Sequence, residues 1–233
     1  MDRTKHLLAV VGIGFGLLIP EKTTSADPGT LPPGQLASFT ALWWEWVLSI
    51  PTPANPTVDD SGANCMVGQR DFVWFLAGVN GGGSATLACS VPADKTLFFP
   101  VINSFFFNTP NCGQGPENLT VKFMRTLVKP FIDAAQNLSV TVDGKDIKKT
   151  LLRRVQSDPF VTALPADNIF GPDACAKGVP LPAGIYSPSV DDGFYVALSP
   201  LSPGPHTIHF HADSGKFTED VTYNLTIVPV LLK

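Results

Sequence analysis

Charged residues are scarce in this sequence. Asp, Glu, Lys and Arg together make up 15% of the 233 residues, whereas an average soluble protein has about 25%. Hydrophobic residues reach 44%, which excludes an intrinsically disordered chain, since disorder requires low hydrophobicity. The 20 glycines and 22 prolines predict frequent turns and favour a loop-rich β domain over a helical bundle.

Apolar runs long enough to span a bilayer are also missing, because spanning takes about 20 residues. The apolar stretch at residues 7–20 is shorter, follows a basic start and precedes small residues at positions 24–26. This order is typical of a secretory signal peptide. We predict a signal peptide over residues 1–26, a single domain over residues 27–233, no stable transmembrane anchor and a secreted or periplasmic location. An uncleaved membrane anchor is the alternative.

Basic residues do not dominate the chain. The whole sequence has 16 basic and 20 acidic residues, and removing the predicted signal peptide leaves 13 and 18, a net charge of −5. A general nucleic-acid binder needs a basic surface to neutralise phosphates, so we expect no nucleic-acid partner. The same balance argues against binding to anionic membranes by charge.

Common catalytic motifs are absent from the sequence. There is no G-x-S-x-G nucleophile motif, no P-loop and no H-E-x-x-H metal motif. Adjacent carboxylates occur at Asp59/Asp60, Asp191/Asp192 and Glu219/Asp220. Such neighbours cannot act together across one bond, because on a strand they point to opposite faces. We predict that they are turn and surface residues. The sequence therefore leaves open whether the protein is an enzyme.

The four cysteines are Cys65, Cys89, Cys112 and Cys175. An even number of cysteines in an exported chain predicts disulfide bonds. Four cysteines allow three pairings, and the sequence does not choose among them. We favour Cys65–Cys89 and Cys112–Cys175, because each bond closes a moderate loop between candidate strands. Metal ligation by cysteine is the alternative, but the C-x-x-C spacing typical of zinc sites is missing.

An early helix carries three of the four tryptophans. Residues 35–50 are apolar at helical spacing, which predicts a helix that ends before Pro51. Trp43, Trp44 and Trp46 lie within this helix. Aromatic residues at helical spacing usually dock a helix onto a core. A platform on which a sugar ring stacks is the functional alternative.

A second helix is predicted over residues 116–136, and strands fill much of the rest of the chain. We predict that residues 72–77 and 85–91 form a β-hairpin, and that Pro100 marks an edge strand or a bulge. Residues 157–185 are rich in Pro, Asp and Gly, which predicts a long surface loop.

The last strands have the clearest patterns. Residues 193–198, 206–212 and 221–228 are separated by Gly- and Pro-containing turns and carry β-branched and aromatic residues. Short strands at this spacing predict a mostly β fold. We expect an antiparallel β-sandwich or jelly roll with an N-terminal helix and one inserted helix.

One strand carries a candidate metal site. His209, His211 and Asp213 alternate along it and should share one face. An H-x-H pair can hold zinc, copper or iron when further ligands arrive from elsewhere. Asp191 precedes a neighbouring strand and could supply a carboxylate, as could Asp192. An ordinary solvated sheet face is the alternative, because two histidines are fewer than a complete site needs.

The closing hairpin carries a resemblance. The segment LSPGPHTIHF at residues 201–210 resembles a turn and core strand found in exported bacterial β-sandwich domains. Together with the early tryptophans and the segments at residues 65–78 and 97–103, it makes the chain similar to a group of uncharacterised exported bacterial proteins. The resemblance implies export and a sandwich fold, but no activity and no catalytic residue.

These observations favour a non-catalytic exported domain that binds an extracellular or periplasmic ligand, such as a glycan, or an envelope partner protein. The reasons are the export signal, the aromatic content and the absence of catalytic motifs. A metal-dependent enzyme centred on His209 and His211, with a divalent transition metal as its cofactor, is the first alternative. An envelope structural protein without a small ligand is the second.

Overall fold

The computed structural model describes residue 31 and residues 33–230. The predicted signal peptide, residues 1–26, lies outside the described residues. No helix in the described part is long and apolar enough to cross a membrane. This part of the chain is mostly β, as predicted, and its strands form two sheets of a sandwich-like fold with two α-helices.

The two sheets, A and B, each contain five strands. Sheet A has the order β1-β3-β8-β6, with β7 also paired to β8, and sheet B has the order β2-β10-β9-β4-β5. The strands are β1 Val73–Phe75, β2 Gly83–Pro92, β3 Thr96–Phe107, β4 Ala135–Val142, β5 Lys145–Asp146, β6 Leu152–Gln156, β7 Phe160–Leu164, β8 Gly184–Leu198, β9 Gly204–Ser214 and β10 Phe217–Val228.

Two pairings are parallel, although most are antiparallel. β1 pairs in parallel with β3, and β2 pairs in parallel with β10. The predicted hairpin of residues 72–77 and 85–91 is therefore wrong, because its two strands belong to different sheets. The connection crosses to sheet B, where the Tyr223 hydroxyl donates to Ala77 O at 2.9 Å and accepts from Ala77 N at 3.1 Å.

Both predicted helices are present, although the second is shorter than the predicted residues 116–136. The first, α1 Leu36–Leu48, ends before Pro51. The buried Asn55 side chain donates to the carbonyl of Val47 in its last turn and to that of Ile50 just after it. The second, α2 Val121–Asp133, begins after Thr120, whose hydroxyl accepts from Phe123 N at 3.2 Å. Such N-cap and C-terminal contacts satisfy backbone groups that have no partner within a helix.

The main core lies between the two sheets. Alternation along β9 places Ile208, Phe210 and Ala212 in this core, as predicted for an amphipathic strand. Phe210 stacks on Phe99 of sheet A with ring centroids 5.1 Å apart. A second core lies on the outer face of sheet A, where α1 covers it. Sheet A is therefore the middle layer of three.

A bulge in β3 exchanges the two faces of this strand. Before it, Phe99 faces the sandwich core and Phe98 faces α1; after it, Asn103 and Phe105 lie on the α1 side. The register with β8 shifts between Pro100 and Ile102, and one extra residue is enough to reverse the alternation. Pro100 therefore marks a bulge, as predicted.

The disulfide bonds are Cys65–Cys89 and Cys112–Cys175, the favoured pairing. The first lies in the core between the sheets, and the second packs against the core under α1. The long loop expected at residues 157–185 is only partly present, because β7 lies within it and pairs with β8. The alternation along β7 covers only five residues, which is too short to indicate a strand within a segment rich in proline and aspartate.

Candidate functional site

The predicted metal ligands do not converge. His209, His211 and Asp213 share the outer face of sheet B, as expected, but Asp191 lies in sheet A and faces α1. Asp191 therefore cannot complete a site with the two histidines, because a whole sheet separates them. Asp192 is also occupied elsewhere, since Arg154 donates to both of its carboxylate oxygens at 3.0 and 2.9 Å.

The histidines pair instead with carboxylates of their own sheet. His209 Nε2 lies 2.7 Å from Asp220 Oδ1, and His211 Nε2 lies 3.4 Å from Asp213 Oδ2. His206 contacts the Asp143 carboxylate, which raises the pKa of the imidazole. Across residues 31 and 33–230, no three His, Cys, Asp or Glu side chains are grouped so that they could hold a metal ion.

The three tryptophans of α1 are buried against sheet A and its connections. Each indole N–H donates to an acceptor: Trp43 to the buried Leu76 O, Trp44 to the buried Asp191 Oδ1 and Trp46 to the half-buried Val67 O, all within 2.9 Å. They therefore dock the helix and form no open stacking platform. Trp43 and Trp44 nevertheless line a cleft that also contains a buried carboxyl group, which makes it the candidate site.

This cleft, called the Glu219 cleft below, opens where β1 leaves sheet A. β1 pairs only with Thr96–Phe98, so the following part of β3 has no partner strand on that side. Pro100, which has no N–H to donate, lies in this stretch. The cleft has a volume of about 120 Å³. Its walls are Trp43, Trp44, Val47, Thr57, residues 78–81, residues 100–103, Ile169, Phe217 and Glu219.

Glu219 is the ionisable group of this cleft. It lies on the core-facing side of β10, is only 5% exposed, and accepts a hydrogen bond from Val79 N at 2.6 Å through Oε1. Burial raises its pKa to about 7, although the bond from Val79 acts in the opposite direction. Gly78 packs directly on the carboxylate, where any Cβ would collide with Oε1. A larger residue at position 78 would therefore displace the Glu219 carboxylate from its present position.

A buried polar network supports the opposite wall. Asp191 Oδ1 accepts from Trp44 Nε1 at 2.8 Å and from the Tyr195 hydroxyl at 2.9 Å. Asn103 Nδ2 in turn donates to the Tyr195 oxygen at 3.0 Å. Trp44 and Asn103 both line the cleft, so this network fixes two of its wall residues.

Burial controls the protonation of this network. Asp191 is completely buried, and this raises its pKa well above the usual range despite the bonds from Trp44 and Tyr195. Burial, reinforced by the nearby Asp191, also raises the pKa of Tyr195. Gly193 has to be small, because a Cβ there would lie 2.7 Å from Asn103 Cβ and from the Tyr195 ring. The network therefore depends on tight packing around a carboxyl that favours its neutral form.

The prediction that the adjacent Glu219 and Asp220 are turn or surface residues is wrong for Glu219, which is buried, although the sequence contains a signal for its burial. Glu219, Val221, Tyr223 and Leu225 alternate along β10, so a charged residue occupies a position of the core-facing set. A buried carboxylate is costly unless it is paired or neutral, which makes such a position a candidate for function. The predicted strand began at residue 221, so it left out residues 217–220 at the start of β10, including Glu219.

We expect the contribution of Glu219 to stability to fall as pH rises from about 4.5 to about 7, because over this range the carboxyl ionises in the unfolded chain while burial keeps it protonated in the folded state. Its folded pKa of about 7 exceeds the ordinary 4.5, so the stabilisation is fully present below pH 4.5 and is lost above about 7. Glu219→Gln stays neutral. The free energy of unfolding of this variant, relative to wild type, should therefore rise by up to about 3 kcal/mol between these limits.

Denaturant unfolding across this pH range measures the effect. Glu117→Gln is the matched control, because Glu117 is exposed and its replacement should leave the pH profile unchanged. A Glu219→Gln profile parallel to wild type would contradict the raised pKa.

Comparison with known proteins does not assign a family to this chain. No protein-family model and no curated protein matches the sequence. The candidate site is therefore defined by the contacts described above.

Proposed function

We propose that this is an exported ligand-binding domain whose Glu219 cleft holds a terminal sugar unit of a glycan. The observation that supports this most is the buried Glu219 carboxyl at the wall of an open cleft. Among residues 31 and 33–230, the hydrogen bond to this carboxyl comes from Val79 N and reaches Oε1. The second oxygen, Oε2, is therefore available to a ligand hydroxyl at the wall of the cleft.

The other walls fit the same class of ligand. Trp43 and Trp44 offer apolar surface, and Asn103 offers an amide beside it. Ligand sites commonly combine apolar and aromatic walls with a few placed polar groups. The volume of about 120 Å³ is below the roughly 300 Å³ of sites for drug-sized molecules. The cleft is therefore suited to one ring or chain end, with the rest of the ligand outside.

The chemistry of the cleft favours binding over catalysis. Glycoside hydrolysis requires two carboxyl groups that flank one bond. Asp191 is a second buried acid, but it is fully buried behind Trp44 and Tyr195 and does not line the cleft. Glu219 therefore acts alone among the acidic residues on the cleft walls, as a hydrogen-bonding group.

A glycan array with the exported protein tests the proposal. Wild type should bind at least one neutral glycan, and tryptophan fluorescence should change on binding because Trp43 and Trp44 line the cleft. Affinity should increase from pH 6 to pH 8, since the ionised Glu219 is the stronger acceptor. Glu219→Gln should weaken binding about tenfold, because a hydrogen bond to a charged group contributes roughly 1.5–3 kcal/mol.

Glu117→Gln again serves as the control and should bind like wild type. Failure of the wild-type protein to bind any member of a broad array would refute the glycan proposal. Equal binding by wild type and Glu219→Gln would place the glycan somewhere other than this cleft.

A further inference from the structure

Positive charge is concentrated in one short part of the chain. Residues 121–156 contain eight of the 16 basic residues but only three acidic ones, Asp133, Asp143 and Asp146. This segment carries +5, whereas the whole chain carries −4. Charges more than about 8 Å away are largely screened at physiological ionic strength, so a partner at this surface experiences the local positive charge.

The fold places part of this charge around a groove between α2 and β6. Arg125 Nη2 donates to Ser157 O at 2.7 Å, and its Nη1 lies 3.3 Å from Gln156 Oε1. At the other end of the helix, Arg154 Nη1 donates to Asp133 Oδ1 at 2.8 Å. The groove has a volume of about 500 Å³ and is lined by Val121, Lys122, Arg125, Thr126, Lys129 and Gln156.

Two large apolar side chains project from the same helix into solvent. Phe123 is 50% exposed and Leu127 is 44% exposed, one helical turn apart. The side chains that α2 buries against the core are Met124, Val128 and Ile132. Phe123 and Leu127 therefore contribute little to the packing of the fold.

We propose that this α2 surface, formed by Lys122, Phe123, Arg125, Leu127 and Lys129, docks the exported protein onto an anionic lipid bilayer. Phe123 and Leu127 enter the boundary between headgroups and acyl chains, and the basic residues contact lipid phosphates. Helices that lie on membranes combine an apolar face with flanking Lys and Arg in this way. The surface is separate from the Glu219 cleft and does not depend on its function.

A bilayer fits this surface better than an acidic protein does. A stable protein interface buries about 800 Å² on each side with matched shape, whereas two apolar side chains among lysines offer little shape to match. A fluid bilayer provides negative charge and apolar depth within the same 5–10 Å. Lys122 has no ion pair among the residues that the structure describes, so its charge is available to phosphate. Lys129 is paired with Asp133 and has to exchange this carboxylate for a lipid phosphate.

The test is flotation of the exported protein with vesicles of phosphatidylcholine, with and without phosphatidylglycerol. Wild type should bind the phosphatidylglycerol vesicles, more weakly as salt is added, and should not bind pure phosphatidylcholine. Lys122→Gln/Lys129→Gln should lower the partition coefficient about tenfold, since each basic residue near an anionic surface has a substantial effect. Phe123→Ser/Leu127→Ser should lower it by a similar factor.

The matched control is Lys177→Gln/Ile185→Ser, which removes one charge and one apolar side chain, the latter 71% exposed, from another surface. This control should bind like wild type. Circular dichroism checks that every variant is folded. The proposal is overturned if wild type does not bind phosphatidylglycerol vesicles at low salt, if it binds pure phosphatidylcholine equally well, or if both α2 variants bind like wild type.

Discussion

Asp191→Ala is expected to lower the free energy of unfolding by about 4 kcal/mol, whereas Asp191→Asn should change it by less than about 1 kcal/mol. Alanine removes the acceptor of two buried donors, Trp44 Nε1 and the Tyr195 hydroxyl, and each unsatisfied donor costs about 1–3 kcal/mol. Asparagine keeps that acceptor. Because burial raises the pKa of Asp191, the wild-type group resembles a neutral amide more than a carboxylate.

The Asn and Ala variants act as controls for each other, and denaturant unfolding at neutral pH measures both. If Asp191→Asn is as costly as Asp191→Ala, the group is ionised in the folded state and its charge is required. The two variants should also differ in their affinity for the ligand. Asp191→Ala releases Trp44 and, through Tyr195, Asn103 from their positions in the Glu219 cleft, so it should also weaken glycan binding.

The Asp191 network and the Glu219 cleft depend on two irregularities of sheet A, the bulge in β3 and the early end of β1. If β3 continued without its bulge, Asn103 would lie on the side of the sandwich core and could not reach Tyr195. If β1 continued alongside β3, its residues would fill the space of the cleft. Bulges and strand ends of this kind are common next to functional sites.

The sequence predicted what depends on local periodicity. The alternation of His209, Phe210 and His211 gave the correct faces of β9, and the helical spacing of tryptophans gave α1 within two residues at each end. Asp143 and Gly144 form the predicted turn, and both have positive φ, at 51° and 72°. Such features are determined by residues close together in the chain.

What depends on distant residues could not be predicted in the same way. The parallel pairing of β2 with β10 joins residues 83–92 to residues 219–228, and no local pattern encodes it. The placement of Asp191 beside Trp44 joins residues 147 positions apart. Net charge was equally uninformative about surfaces, because the −4 of the whole chain concealed the positive segment at residues 121–156.

Removal of either disulfide bond should strongly destabilise the protein. In the chain-entropy model the effect grows with loop length. Cys112 and Cys175 are separated by 63 residues, which corresponds to about 4 kcal/mol. Cys65 and Cys89 are separated by 24, which corresponds to about 3 kcal/mol. Cys65 and Cys89 lie in the main core, so their replacement by serine adds the cost of burying two hydroxyl groups.

Denaturant unfolding of Cys112→Ser/Cys175→Ser and Cys65→Ser/Cys89→Ser, each against wild type, measures the two losses. The variant that lacks all four cysteines is the control, because a reductant should lower the stability of wild type and leave this variant unchanged. Wild-type stability in either double variant would contradict the entropic argument. Together the two losses approach the whole stability of an average domain, about 5–15 kcal/mol. The reduced chain should therefore fold poorly, which favours an oxidising compartment and agrees with the predicted export.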